Sequence, residues 1–111
     1  MGWNEWLRRV RHDLVKRLVW PARDRRDLGG IPFPGELAAK LIDDEGSPAP
    51  AEAVWAKLKA AAPSPRHADF AIFEAALAES VAAAQRDDIE GVLTLERAFD
   101  QLAQVLAKEE R

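Results

Sequence analysis

The C-terminal part of the chain carries two apolar stripes at helical spacing, and they constrain the fold more than any other feature of the sequence. Members of each stripe recur every three or four residues and so share one helix face: Phe70, Phe73, Leu77, Val81 and Ala84, then Val92, Leu95, Phe99, Leu102 and Leu106. The joint at residues 85–88 is short and polar, with an aspartate placed to cap the next helix. Gly91, one turn further on, would let the partner helix approach. Residues 67–86 and 89–108 are therefore predicted to form an antiparallel helix hairpin.

Composition extends the helical prediction to the whole chain. Alanine is frequent, tyrosine is absent, and valine and isoleucine are too scattered to form strands. Glycines and prolines at residues 29–35 interrupt the helical pattern. We predict an all-α small helical bundle in which an arm (residues 1–27) joins a helical body (residues 36–111) through a Gly/Pro-rich hinge (residues 28–35). Within the body, further helices are expected at residues 36–44 and 51–62, and Gly46 is expected to adopt the left-handed conformation that ends a helix.

The predicted arm is an amphipathic helix that holds three of the four tryptophans. Its apolar side chains fall within one arc of about 120°: Trp3, Trp6, Leu7, Val10, Leu14 and Leu18. Its basic side chains lie outside that arc, and they include Arg8, Arg9 and Arg11. The helix is expected to end near Trp20, because Pro21 disfavours helical geometry in the residue before it.

Charge is distributed unevenly along the chain. Residues 1–27 hold eight basic and four acidic side chains, a net charge of +4, so the remainder must carry −7 to give the overall formal charge of −3. A basic segment on an acidic body suggests that the segment meets an anionic partner or folds back onto its own body. The absence of cysteine, and of any apolar run long enough for a transmembrane helix or typical of a signal peptide, favours a cytoplasmic location, with peripheral membrane attachment as the alternative.

Residues suited to catalysis or metal binding are few and lie apart. His12 and His67, the only histidines, lack a His or Glu partner three or four residues away, as a helical metal site requires. Residues 43–45 are consecutive acids, not the alternating ligands of a calcium loop. Acidic side chains among the arginines argue against nucleic-acid binding. The sequence therefore predicts no catalytic residue, no metal and no cofactor.

These features predict a non-enzymatic helical adaptor or accessory subunit that docks on a larger cytoplasmic protein. Tryptophan and arginine commonly anchor protein interfaces, so the expected partner-binding residues are the following: Trp3, Trp6, Leu7, Val10, Leu14, Arg8, Arg9 and Arg11.

Three alternatives remain open for the same helix and body. The helix fits an anionic membrane surface, with tryptophans at the headgroup level and arginines on lipid phosphates. Its apolar face also fits burial against the C-terminal hairpin. A small enzyme or ligand-binding bundle would need polar groups facing the core, and Ser80 is the only one on the stripes.

Overall fold

An unbroken helix covers residues 3–28 in the computed structural model, which describes residues 2–29, 41–42, 46 and 48–109. It consists of α1 (Trp3–Val10), a π-helical turn (Arg11–Val15) and α2 (Lys16–Leu28). We call residues 3–28 the N-terminal helix. It ends at Gly29, whose φ of +68° is a conformation that glycine adopts without steric cost.

Pro21 lies inside α2, so the predicted helix end near Trp20 is wrong. Proline has no N–H group to donate to the preceding turn, and this loss disfavours a helix interior. Burial offsets it here, because Val19 and Ala22 on either side of the proline have no exposed surface. The helix continues past the proline because its second half packs on the C-terminal helix.

The buried side of the N-terminal helix becomes wider at the π-helical turn. A π turn inserts an extra residue and so rotates the face that follows it. Before the turn the buried side chains follow the predicted arc. Leu14 and Leu18 of that arc stay buried, and the core gains Val15 within the turn and Val19 and Ala22 after it. Trp20 is left on the outer side, with 54% of its surface exposed.

Two short strands and a third helix follow. β1 (Leu41–Ile42) pairs antiparallel with β2 (Pro48–Ala49), with Leu41 opposite Ala49. The helix predicted at residues 36–44 lies mostly outside the described residues, and its described part is β1 instead. Gly46 does adopt a positive φ, +81°, but it lies between two strands. α3 (Ala51–Ala60) then agrees with the prediction to within two residues.

The predicted helix hairpin is confirmed. α4 (Phe70–Gln85) and α5 (Ile89–Glu109) pack along their apolar stripes, and Val81 alone among the stripe residues is only half-buried. Asp88 caps α5 by accepting a 3.0 Å hydrogen bond from the Gly91 N–H. A Cβ at Gly91 would lie 2.6 Å from the Ala83 Cβ, so only glycine permits this approach of the two helices.

One core joins the N-terminal helix, α3 and the hairpin. Its centre is aromatic: the Trp6 and Phe70 rings stack with centroids 5.4 Å apart, and Trp55 lies 4.8 Å from Phe73. Trp6 also donates a buried hydrogen bond of 2.7 Å to the Leu58 carbonyl. The arm and the body that the sequence analysis distinguishes therefore share this core. The proposed domain boundaries remain a prediction, because most of the hinge lies outside the described residues.

Phe73→Ala and Phe99→Ala are each expected to lower the free energy of unfolding by about 3 to 5 kcal/mol. Both side chains are buried at the hairpin interface, where their ring centroids lie 6.4 Å apart. Thermal and urea unfolding measure the change. Ile72→Ala, at an α4 position that is 66% exposed, is the control. Melting curves that matched the control for both phenylalanine variants would show that the hairpin faces are wrongly assigned.

Candidate functional site

The apolar residues predicted to bind a partner lie in the protein's own core. All five are buried, and Trp6 is completely inaccessible to solvent: Trp3, Trp6, Leu7, Val10 and Leu14. A larger protein would reach this face only if the N-terminal helix left the body, breaking the aromatic contacts and the hydrogen bond of Trp6. Partner binding through these residues stays a prediction, but the closed fold covers them.

The three predicted arginines remain at the surface. Arg8 is exposed and Arg9 half-buried, with Arg9 3.6 Å from Asp13 one turn further on. Arg11 reaches across to α5, where its guanidinium lies 5.2 Å from the Phe99 ring centroid and 3.5 Å from Asp100. Of the three, Arg8 and Arg11 line a surface depression between the N-terminal helix and α5.

Two adjoining depressions between the N-terminal helix and α5 form what we call the trough. The larger has a volume of about 350 Å³ and is lined by Arg11, Val15, Lys16, Trp20, Arg23, Glu96, Phe99 and Asp100. The smaller, about 320 Å³, is lined by Asn4, Leu7, Arg8, Arg11, Phe99, Ala103 and Ala107. They share Arg11 and Phe99, so they adjoin at that pair.

Trp20 is the large apolar side chain at the edge of the trough. The Lys16 ammonium lies 5.0 Å from its ring centroid, one turn back along the helix. A cation over a tryptophan face is a favourable contact, worth about 0.5 to 1 kcal/mol at an exposed site. This pair orients both side chains toward the trough while leaving more than half of the indole exposed.

Ion pairs hold the second half of the N-terminal helix on α5. Arg23 contacts Glu96 at 2.6 Å, and Arg26 lies 3.6 Å from Glu90. Each of these groups is at least a third exposed, so each pair adds little to stability. Of the two pairs, Arg23–Glu96 joins the two walls of the trough.

The histidines have structural contacts. His67 is largely buried: its Nε2 lies 2.7 Å from a Glu109 carboxylate oxygen, its Nδ1 accepts the Asp69 N–H, and its ring packs edge-on against Trp3. His12 is exposed beside Asp13. Across residues 2–29, 41–42, 46 and 48–109, no group of three or more His, Cys, Asp or Glu side chains could hold a metal ion.

Ser80, the core serine named in the enzyme alternative, forms a hydrogen bond within the hairpin. Ser80 is buried and donates a 3.2 Å hydrogen bond to the Val92 carbonyl across the hairpin. In the described part of the chain, every buried side-chain nitrogen and oxygen has a hydrogen-bond partner. The polar groups that face the core therefore join helices together.

Glu74 contributes stability that depends on pH. Hydrogen bonds of 2.8 Å from Lys59 and from the Trp55 indole lower the pKa of the Glu74 carboxyl. A lowered pKa in the folded state adds stability above the ordinary glutamate pKa, and that stability is lost as the pH falls through the lowered value.

In Glu74→Gln, we expect the free energy of unfolding to fall less steeply as the pH is lowered. At neutral pH, we expect it to be slightly lower than in the unmodified protein. Urea unfolding measured from neutral to acidic pH tests this, with exposed Glu52→Gln as the control. An unchanged acid slope in Glu74→Gln would show that the Lys59 and Trp55 contacts do not matter in solution.

Trp20 was not among the predicted site residues, because the helix was predicted to end there. One signal was available: Lys16 and Trp20 are four residues apart, the spacing at which side chains on a continuing helix meet. Glu96, Phe99 and Asp100, which form the opposite wall, lie on a helix that was predicted well, but nothing in the sequence pairs them with the N-terminal helix.

No family model, curated protein or solved structure matches this chain. None of the described helices has the length and apolar character needed to cross a bilayer. The trough and its exposed tryptophan are the features from which a function can be proposed.

Proposed function

We propose that this protein is a non-enzymatic helical adaptor or accessory subunit that docks on a larger protein through the trough. The observation that carries the proposal is Trp20, which is 54% exposed at the edge of a concave surface lined by Arg11, Lys16 and Arg23. Tryptophan and arginine supply most of the binding energy at many interfaces, since each buries a large area and also makes a directional contact.

The proposal keeps the N-terminal helix as the docking element but moves the contact to its outer side. Trp6 and Val10, two of the anchors expected from the sequence, have no exposed surface in the folded chain. Arg8 and Arg11 line the trough and stay in the proposed site. Docking then requires no opening of the core, which would cost the aromatic packing around Trp6.

A non-enzymatic role is proposed because the groups suited to chemistry already have structural partners. Ser80 bonds to the Val92 carbonyl, and the His67 ring is held between Trp3, Asp69 and Glu109. The trough itself is shallow, and its carboxylates, Glu96 and Asp100, pair with arginines. Such a site suits recognition better than acid–base catalysis.

The alternative partner is an anionic membrane surface. Trp20 and Lys16 suit a headgroup layer, where amphipathic rings and basic side chains are common. Acidic side chains on the same helix, Asp13, Asp24 and Asp27, oppose lipid phosphates, and the apolar face that would enter the bilayer is buried in the core. We therefore favour a protein partner.

Site-specific photo-cross-linking tests the proposal. A photoreactive phenylalanine derivative at position 20 is expected to capture one discrete larger protein in an extract of the native cells, and the same group at exposed position 72 on α4 is not. Capture of the same proteins at both positions, or of none at position 20, would contradict the adaptor role. Cross-links from position 20 mainly to lipid in anionic vesicles would favour the membrane alternative.

A further inference from the structure

We propose that the trough binds an acidic segment of the partner protein, with carboxylates on Arg8, Arg11 and Lys16 and an apolar side chain against Trp20. This inference rests on the proposed adaptor function and specifies the chemistry of its partner. It follows from three properties of the trough: the net charge of its walls, the ability of its basic side chains to change ion-pair partners, and its size.

The walls of the trough carry an excess of positive charge. Four cations, Arg8, Arg11, Lys16 and Arg23, face two carboxylates, Glu96 and Asp100, which leaves a net charge of +2. The carboxylates lie in the larger depression, whereas the smaller one has only basic charged groups. The segment that supplies these cations, residues 1–27, carries a net charge of +4.

The cations that face solvent are free to exchange partners. Within the described residues, neither Arg8 nor Lys16 has a carboxylate in ion-pair range, and Lys16 instead lies over the Trp20 ring. The Arg11–Asp100 pair spans 3.5 Å between side chains that are each 54% exposed. An ion pair in such contact with water is worth at most about 1 kcal/mol. A carboxylate from a partner can therefore bind Arg11 at little cost.

Arg23 differs from the other three cations because it forms a close ion pair with a carboxylate of the trough. Its 2.6 Å contact with Glu96 neutralises the end of the trough beyond Trp20. The unpaired positive charge is therefore concentrated on the Arg8 side of the exposed indole. A segment with one apolar side chain followed by carboxylates matches this order, whereas a basic segment would face the repulsion of Arg8, Arg11 and Lys16.

The size of the trough suits side chains of a single segment. The two depressions have volumes of about 350 and 320 Å³, near the lower limit of the volumes of typical ligand pockets. A concave surface between two helices also fits a narrow peptide segment better than a flat lipid layer. The geometry therefore favours a peptide segment over a membrane.

The test uses a fluorescein-labelled synthetic peptide of glutamate, leucine and alanine, about 15 residues long so that it can form a helix. Matched peptides replace every glutamate by glutamine or by lysine. Fluorescence polarisation gives the affinity, and the four tryptophan indole N–H resonances of the ¹⁵N-labelled protein locate the contact. We expect the glutamate peptide to bind, to shift the Trp20 resonance, and to leave Trp6 and Trp55 unmoved.

Variants assign the contact to the trough. Arg8→Gln and Lys16→Gln are each expected to weaken binding about threefold to fivefold, as loss of an exposed ion pair does. Trp20→Ala is expected to weaken it at least about tenfold. Lys108→Gln, the same change on the last turn of α5 outside the trough, is the control and should bind like the unmodified protein.

The inference is overturned if the glutamine or lysine peptide binds as tightly as the glutamate peptide, or if Lys108→Gln weakens binding as much as Lys16→Gln. Displacement of the glutamate peptide by anionic vesicles, with the same shift at Trp20, would assign the surface to lipid and also overturn it. If none of the peptides binds but position 20 cross-links specifically to one protein, the acidic segment is rejected and the adaptor role is kept. Failure of cross-linking alone would reject the adaptor role.

Discussion

Removing residues 1–20 is expected to abolish cooperative unfolding. The deletion takes away one wall of the core, including eight buried side chains: Trp3, Trp6, Leu7, Val10, Leu14, Val15, Leu18 and Val19. It also exposes the apolar surfaces of α3, α4 and α5 that these residues cover. A domain of this size is marginally stable, so the loss of so much buried apolar surface exceeds what the remainder can offset.

Circular dichroism and thermal melting measure the effect of the deletion. We expect reduced helix content, a broad melt and a tendency to aggregate. The control is recovery of a sharp transition when a synthetic peptide of residues 1–28 is added to the truncated chain. A truncated protein that melted as sharply as the full chain would contradict the single core and support the separable arm suggested by the glycines and prolines.

Trp6→Ala is expected to lower the free energy of unfolding by about 3 to 5 kcal/mol. The ring has no exposed surface, stacks on Phe70 at 5.4 Å and meets Trp55 edge-on at 5.9 Å. Its loss leaves a large cavity where three helices meet. Urea unfolding followed by circular dichroism gives the change.

Two further variants separate the causes of that loss. Trp6→Phe keeps much of the ring packing but loses the hydrogen bond to Leu58, and we expect it to cost about 1 kcal/mol, since the Ala61 N–H still donates to the same carbonyl. Trp20→Ala should change stability by less than about 0.5 kcal/mol, as exposed positions do. If Trp6→Ala were no less stable than Trp20→Ala, the N-terminal helix would not be part of the core.

Periodicity predicted the hairpin and the apolar face of the N-terminal helix. The stripes through Phe73 and Phe99 are interior, and Trp3, Trp6, Leu7, Val10 and Leu14 do share one face. A hydrophobic period identifies the side of a helix that must be covered, but it does not identify what covers it. The Gly/Pro run at residues 29–35 suggested a separable arm, but a break in the helical pattern does not decide where the preceding helix packs.

Tertiary contacts decided the features that the sequence did not predict. Pro21 is tolerated because Val19 and Ala22 on either side of it are buried, and intrinsic preferences are routinely overridden in this way. The π-helical turn has no sequence signature that we can name. Together they place Trp20 outside the core and beside Lys16, so the trough could not be derived before the fold was known. Arg8 and Arg11, predicted as binding residues for their charge, do line it.

Hydrogen exchange of the four indole N–H groups tests the central claim, that the N-terminal helix is buried in the core on its Trp6 side and exposed to solvent on its Trp20 side. Trp6 donates to Leu58 and Trp55 donates to Glu74, whereas the Trp20 indole is exposed. In a ¹H–¹⁵N spectrum recorded after transfer into D₂O, we predict that the Trp20 resonance disappears at once and that the Trp6 resonance persists until the whole protein unfolds. A Trp6 resonance that disappeared as fast as that of Trp20 would contradict this account.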